Sequence, residues 1–177
     1  MIKLTMPYGE QIRELIAGDI VYITGDLLVM RDAAHKKMFE LIDKGQEIPF
    51  DIKGKLIYYM GPCPAKPDYI VGSAGPTTSK RMDSYTPALM DMGLLGTIGK
   101  GSRSEEVRQS IIRNKGIYLS AIGGAGAIYA KTIKSSKVLA FQELQAEAVL
   151  EISVQDFPAI VVIDSKGNVP LSLNGQR

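Results

Sequence analysis

The sequence predicts one α/β domain over residues 1–177, with a mixed central sheet flanked by helices. Three observations point that way. Apolar, often β-branched runs such as Ile20–Thr24, Leu56–Met60 and Ile117–Ile122 read as strands, and segments with helical spacing alternate with them. The length, with 45% hydrophobic and 23% charged residues, suits one sizeable core, since domains usually hold about 100–150 residues. Near the C-terminus, Ala146–Val154 and Ala159–Ile163 read as two strands separated by Asp156–Pro158. That pair breaks the alternation and predicts an antiparallel or edge addition.

The elements follow in order. Residues 2–19 read as a short strand, a turn at Pro7–Gly9 and a short helix with Ile12, Leu15 and Ile16 on one side. Ile20–Thr24 is the next strand, and a loop leads from it to Arg31. Asp32–Lys44 is a helix: Ala34, Met38, Leu41 and Ile42 share a face, Asp32 would cap it and Gly45 stops it. Leu56–Met60 is a strand, followed by a Pro-rich turn over Gly61–Pro67. Thr77, Thr78 and Ser79 are good N-cap types, and Arg81–Met92 reads as helical with Pro87 as a kink or restart. Leu95–Ile98 is a short strand closed by Gly99-Lys100-Gly101. Ser104 caps a helix to Arg113, with Glu105 and Glu106 complementing its dipole. After Ile117–Ile122, a helix of small residues spans Ala125–Ile133, and Val138–Phe141 is short and extended. Asp164–Asn168 is the clearest turn.

Composition excludes several functions. With 21 Lys and Arg against 19 Asp and Glu, the formal charge is +2, which argues against binding nucleic acid through bulk charge. One Cys and one His cannot by themselves build a disulfide framework, a structural zinc site or an iron–sulfur cluster. No apolar run reaches the ~18–20 residues of a membrane span, and Met1–Glu10 lacks a secretion signal. The expectation is a cytoplasmic protein that binds no membrane and no metal of its own.

The candidates for chemistry are cations and hydroxyls. Thr77, Thr78 and Ser79 sit at a strand-to-helix junction, where free N–H groups and the helix dipole favour an anion. Arg81, one turn on, can fold back beside them and meet a carboxylate through its guanidinium. The plainer alternative is an N-cap followed by a surface arginine. Arg31 stands at the mouth of a helix, beyond the carboxyl end of a strand, where ligands gather in open α/β sheets. His35 reads as a helix-face residue bonding to Asp32 or to a partner. Lys100 between two glycines lets a cation approach a ligand closely, although the G-x-x-x-x-G-K-[ST] phosphate loop is absent; a solvated turn lysine is its alternative. Gly123-Gly124-Ala125-Gly126 lacks the dinucleotide spacing and reads as close backbone packing or a ligand-facing turn. Cys63, between two prolines and without a basic neighbour, reads as structural. Arg31, Thr77, Thr78, Arg81 and Lys100 together form half a site: the half that holds an anionic substrate.

Five strings carry a resemblance. Arg31-Asp-Ala-Ala-His35, Gly72-Ser-Ala-Gly-Pro-Thr-Thr-Ser-Lys-Arg-Met-Asp83, Ile98-Gly-Lys-Gly101, Ala121-Ile-Gly-Gly-Ala-Gly126 and Asp156-Phe-Pro158 occur in that order. Together they resemble the β subunit, or C-terminal domain, of the iron–sulfur class I fumarate hydratases and the related L(+)-tartrate dehydratases. The likeness runs from about residue 10 to 170 and departs at Val29-Met30, where relatives often carry Thr-Gly.

The resemblance implies a swivelling β/β/α domain and a hydro-lyase subunit that works only with an α subunit. That partner would hold a [4Fe–4S] cluster, and this chain would bind no cofactor. It implies Arg31, Thr77, Thr78, Arg81 and Lys100 as contacts to a small dicarboxylate, with Thr77, Arg81 and Lys100 catalytic. Thr77 would remove the C3 proton or orient the substrate. The leading expectation is hydration of fumarate to L-malate. The alternatives are L(+)-tartrate dehydration and a non-catalytic dicarboxylate-binding domain. A homo-oligomer is compatible with all three.

Overall fold

The computed structural model describes residues 1–62, 70–122 and 124–170. Seven strands form one sheet: β1 (Ile2–Thr5), β2 (Ile20–Val29), β3 (Leu56–Tyr58), β4 (Gly96–Gly99), β5 (Ile117–Ser120), β6 (Ile133–Ala140) and β7 (Val149–Ile163). Five helices connect them: α1 (Gly9–Glu14), α2 (Asp32–Asp43), α3 (Thr86–Asp91), α4 (Glu105–Asn114) and α5 (Gly126–Thr132). Strands β2, β3, β4 and β5 run parallel in that order. Strand β7 pairs antiparallel with β5 and with β2, so the sheet closes on itself. Strands β1 and β6 flank the ring, β1 parallel to β2 and β6 antiparallel to β7. The expected mixed α/β class is therefore present.

Strand alternation explains the two main cores, because successive side chains point to opposite faces. Val21, Ile23, Leu27 and Val29 of β2, Leu56 and Tyr58 of β3, Ile98 of β4 and Leu119 of β5 pack in one cluster. The intervening Leu28, Met30, Ile57 and Tyr59 pack in another, with Ala34 and Met38 of α2 and Leu89 of α3. A third cluster joins Met90, Val107, Ile111 and Tyr118 between α3, α4 and β5. Within the first cluster Tyr129 stacks on Phe157 at 4.6 Å, and Tyr58 meets Phe157 edge-on at 5.1 Å. The Tyr58 hydroxyl donates to the Ala74 carbonyl. The core thus grips the segment that leads to Thr77.

Several expectations need correction. The two C-terminal strands are one 15-residue strand, β7, which lies between β2, β5 and β6 rather than at an edge. Asp156 absorbs the interruption: its φ is +52°, and its N–H donates to Thr24 Oγ1 at 3.0 Å. Pro158 then pairs opposite Tyr22, and the register with β2 shifts between Ile23 and Gly25. That is a β-bulge, which accommodates residues that would otherwise end a strand. Gly25 serves the same kink. Its φ is +137°, and an added Cβ would stand 2.6 Å from the Tyr8 hydroxyl.

Strand β2 runs on to Val29, so no loop separates it from Arg31. The extended segment expected at Val138–Phe141 begins at Ile133, and its polar first half is exposed. Charged residues on an outer strand discourage pairing with another chain, and Lys134 and Lys137 supply them. Ile16 is exposed, unlike Ile12 and Leu15. Asp32 is the first residue of α2 and not its cap; Arg31 holds the N-cap position without a side-chain cap. Ser104 caps α4 as expected, accepting from the Val107 N–H.

Candidate active site

The site is built at the carboxyl ends of three adjacent parallel strands, the usual ligand position in α/β sheets. Arg31 follows β2, Gly61 follows β3, and Lys100 follows β4. A short extended stretch, Pro76–Thr78, is inserted between the ends of β3 and β4. Pro76 bridges to Met60, and Thr78 bridges to Lys100. The Thr77 N–H donates to the Tyr59 carbonyl at 2.8 Å, and the Lys100 N–H donates to the Thr77 carbonyl at 3.2 Å. The Ser79 N–H then donates to the Lys100 carbonyl at 3.0 Å. Thr77, Thr78 and Lys100 are thereby locked together by backbone.

Those bonds overturn part of the expectation. The N–H groups of Thr77 and Ser79 are taken by carbonyls and are not free for an anion. Ser79–Met82 forms a single 3₁₀ turn rather than the start of a helix, and Thr78 makes no side-chain cap. An anion here would meet side chains. Helix α3 starts again at Thr86, with Pro87 in its first turn.

Two of the candidate side chains, those of Arg31 and Thr77, meet over Gly61. A Cβ placed on Gly61 would lie 3.3 Å from Arg31 Nη1 and 3.6 Å from Thr77 Cγ2. The absent side chain at Gly61 is what leaves room for both. Arg81 Nη2 lies 3.4 Å from Asp32 Oδ2, which brings its guanidinium beside the residue following Arg31. Both partners of that pair are about half exposed, so it is a weak tether and leaves Arg81 available. The Thr77 hydroxyl donates to the Tyr59 carbonyl at 3.2 Å, which turns its lone pairs away from that carbonyl. Arg31 Nη2 donates to the Ala146 carbonyl at 3.4 Å, while its buried Nε finds no partner among the described residues. Lys100 is exposed.

His35 does not lie on an open helix face, and its hydrogen bond is not to Asp32. It is fully buried, and its Nδ1–H donates to the Arg31 carbonyl at 2.7 Å. Its ring stacks on Tyr85 at 5.4 Å and meets Tyr59 edge-on at 5.7 Å. Burial pushes its pKa down to about 4, against smaller upward pulls from the Arg31 carbonyl and Asp32. The ring is therefore neutral at pH 7. Gly126 packs against Ser73 and Gly75, as the glycine-rich stretch predicted; Gly123, Cys63 and most of the Gly61–Pro67 turn lie outside the described residues.

Sequence reasoning missed the support beneath the site. Arg103 has a fully buried side chain. Its Nε donates to Asp83 Oδ1 at 2.6 Å, Nη1 to Thr97 Oγ1 at 2.6 Å and Nη2 to Thr86 Oγ1 at 2.7 Å. Its guanidinium lies 4.9 Å from the Tyr118 ring and 5.5 Å from the Tyr59 ring. The Tyr118 hydroxyl donates to the Gly101 carbonyl at 2.8 Å and accepts from the Ser79 hydroxyl, 3.0 Å away. Burial pushes the Tyr118 phenol up to about 12, so it stays a donor. A single arginine before a helix cap carries no periodic signal, and its partners come from four separate segments.

Among the described residues no three His, Cys, Asp or Glu gather as a metal site, so nothing here fits a cluster's ligand set. The family model of the fumarase C-terminus matches residues 1–171. The chain belongs to the fumarase C-terminus family. It is 44% identical over 161 residues to "Fumarate hydratase 2" of Leishmania major, covering 90% of this chain and 28% of that protein. It is 45% identical over 148 residues to "Fumarate hydratase class I, anaerobic" of Escherichia coli, covering 82% of this chain and 27% of that protein. It is 34% identical over 165 residues to the "Putative L(+)-tartrate dehydratase subunit beta" of Methanocaldococcus jannaschii, covering 90% of this chain and 85% of that one. The chain thus spans under a third of the length of these fumarate hydratases. No helix among the described residues is long and apolar enough to cross a membrane.

Proposed function

We propose that this chain is the substrate-clamping half of a class I fumarate hydratase. It would complete its active site against an α subunit or domain that carries a [4Fe–4S] cluster. The observation that carries the reading is the meeting of Arg31 and Thr77 over Gly61, with Lys100 at the end of β4 and Arg81 paired with Asp32. Two carboxylates call for at least two cations, and guanidinium groups bind carboxylates through paired N–H donors. Arg31, Arg81 and Lys100 supply three.

In hydration, water adds its oxygen to one alkene carbon and a proton is added to the other. The reverse removes the C3 proton and expels the hydroxyl as water. The partner's cluster would supply a Lewis acid at that hydroxyl. Loss of the C3 proton puts extra negative charge on the adjoining carboxylate. Arg81 and Lys100 placed there would bind the transition state more tightly than the substrate. Thr77 is assigned a contact at C3. A hydroxyl is a weak base at neutral pH, and the Arg31 guanidinium, which shares the space over Gly61 with the Thr77 methyl, would favour negative charge that develops nearby.

Two finer readings belong to the same proposal. The closed sheet, with α2 and α3 packed on the Leu28, Ile57 and Tyr59 side of it, supports a swivelling β/β/α domain that would move as a body against its partner. Ile122 and Ile128 are 55% and 59% exposed. They flank the start of α5, where the Gly126 carbonyl accepts from the Ala74 N–H at 3.1 Å, three residues before Thr77. This exposed apolar pair beside the clamp is read as part of the surface that would meet the partner.

The test is anaerobic co-expression with a candidate cluster-bearing partner, following fumarate absorbance with L-tartrate in parallel. Fumarate turnover only with both chains present supports the reading. Turnover of L-tartrate alone, as the named function of the 34% identical subunit suggests, keeps the clamp and changes the substrate. A formed, cluster-intact complex that turns over neither leaves a non-catalytic dicarboxylate-binding domain.

A further inference from the structure

We propose that Arg103 is a positioning residue that sets the spacing between the two loops of the substrate clamp. One loop, Thr77–Asp83, carries Thr77, Thr78 and Arg81. The other, Gly99–Ser104, carries Lys100. The inference rests on the dicarboxylate-site reading above.

Direct backbone contact between the loops is confined to their near ends, at the Thr78–Lys100 bridge and the two N–H bonds around it. Everything further along is held by side chains that meet at Arg103. Its ion pair with Asp83 ties the far end of the first loop to the second. Asp83 also accepts from the Ser104 N–H at 2.6 Å, so one carboxylate holds both the side chain and the backbone of the second loop. Two further N–H groups of the fork reach Thr97 on β4 and Thr86 on α3, which are rigid elements of the core. Tyr59 and Tyr118 cover the guanidinium. Each tyrosine also touches the clamp: the Tyr59 carbonyl holds Thr77, and the Tyr118 hydroxyl holds Ser79 and Gly101. Arg103 has no open route to a ligand, since its side chain is fully enclosed. It can act on the substrate only through the loops.

The planar fork is what the position requires. Lysine would keep the charge, but it has no fixed planar set of donors to span Asp83, Thr97 and Thr86 together, nor a flat face to fill the gap between two rings. Charge-assisted, fully buried hydrogen bonds are the strong kind, and removing one partner leaves the rest unsatisfied.

The test uses the 177-residue chain with Arg103→Lys, and with Thr97→Val as a milder second variant that deletes one hydroxyl. Amide hydrogen exchange is read at Ser79 and Lys100, and at β2 amides paired with β7 as an internal reference. Succinate is titrated as the probe, with Lys100→Ala as a control. The expected result for Arg103→Lys is a loss of protection of ~10-fold or more at Ser79 and Lys100, with reference amides unchanged and succinate affinity reduced. Thr97→Val is expected to shift the same amides in the same direction by less. Uniform loss of protection in both variants would mean a purely structural role and overturn the proposal. Unchanged protection at Ser79 and Lys100 would overturn it as well. If wild-type chain and Lys100→Ala bind succinate alike, the dicarboxylate reading fails, while the exchange arm still decides whether Arg103 spaces the loops.

Discussion

Buried His35 makes the stability of the chain depend on pH. The ring is enclosed by α2 and by Tyr59 and Tyr85, with Asp32 and Arg103 the charged groups that act on it. Burial holds its pKa near 4 in the folded chain, against 6.5 for an unperturbed histidine. Above pH 6.5 both states carry a neutral ring, and the group adds no pH dependence. Below 6.5 the unfolded chain binds a proton that the folded chain refuses. Stability therefore falls with pH at up to about 1.4 kcal/mol per unit, until the folded ring titrates near pH 4. Integrated from pH 7.5 down to pH 5, the loss is about 2 kcal/mol. Most carboxylates remain ionised over that window, which isolates the histidine.

The perturbation is His35→Asn. Asparagine keeps an N–H near the place of Nδ1, to hold the Arg31 carbonyl, and does not titrate. Urea unfolding of both proteins across pH 5–7.5 measures the difference. The wild type should lose about 2 kcal/mol more than the variant over the range. Parallel pH profiles would refute the burial argument.

Other outcomes follow from the same geometry. In the assembled enzyme, Arg81→Ala and Lys100→Ala should each lower kcat/KM by at least ~100-fold, about 2.7 kcal/mol of transition-state binding, with little change in melting temperature. Steady-state kinetics near wild type would remove that residue from the site. Phe157→Ala, which empties the space between Tyr58 and Tyr129, should destabilise the chain by about 3–5 kcal/mol in chemical denaturation. Ile128→Asp should leave folding intact and weaken binding of the cluster-bearing partner by ~10-fold or more, as read by calorimetry.

The sequence displayed the parts whose physics is local. The α2 stripe of Ala34 and Met38 and the Ser104 cap of α4 were legible because helical spacing and capping act within a few residues. The cations and hydroxyls proposed for the clamp stood out by residue type, because each type states its own chemistry. The closure of the sheet was not legible, because it depends on β7 reaching both β2 and β5 across the chain. Asp156 and Pro158 looked like a break, since the bulge that absorbs them exists only against Thr24 and Tyr22. Polar Lys134–Lys137 hid the first half of β6, which is an outer strand and needs no apolar face. Arg103 was hidden for a different reason. Its role lies in partners 6 to 44 positions away, at Thr97, Thr86, Asp83 and Tyr59. His35 was visible as a residue, but its burial and its bond to the Arg31 carbonyl were not.

The most direct test of the central claim is a map of backbone amide shifts as L-malate is added to the chain. The largest changes are expected at Arg31, Gly61 and Lys100, which follow β2, β3 and β4, and at Thr77, Thr78 and Arg81 of the segment inserted between them. Changes centred on another surface, such as the hollow between Ile16–Gly18 and Asp164, would contradict it.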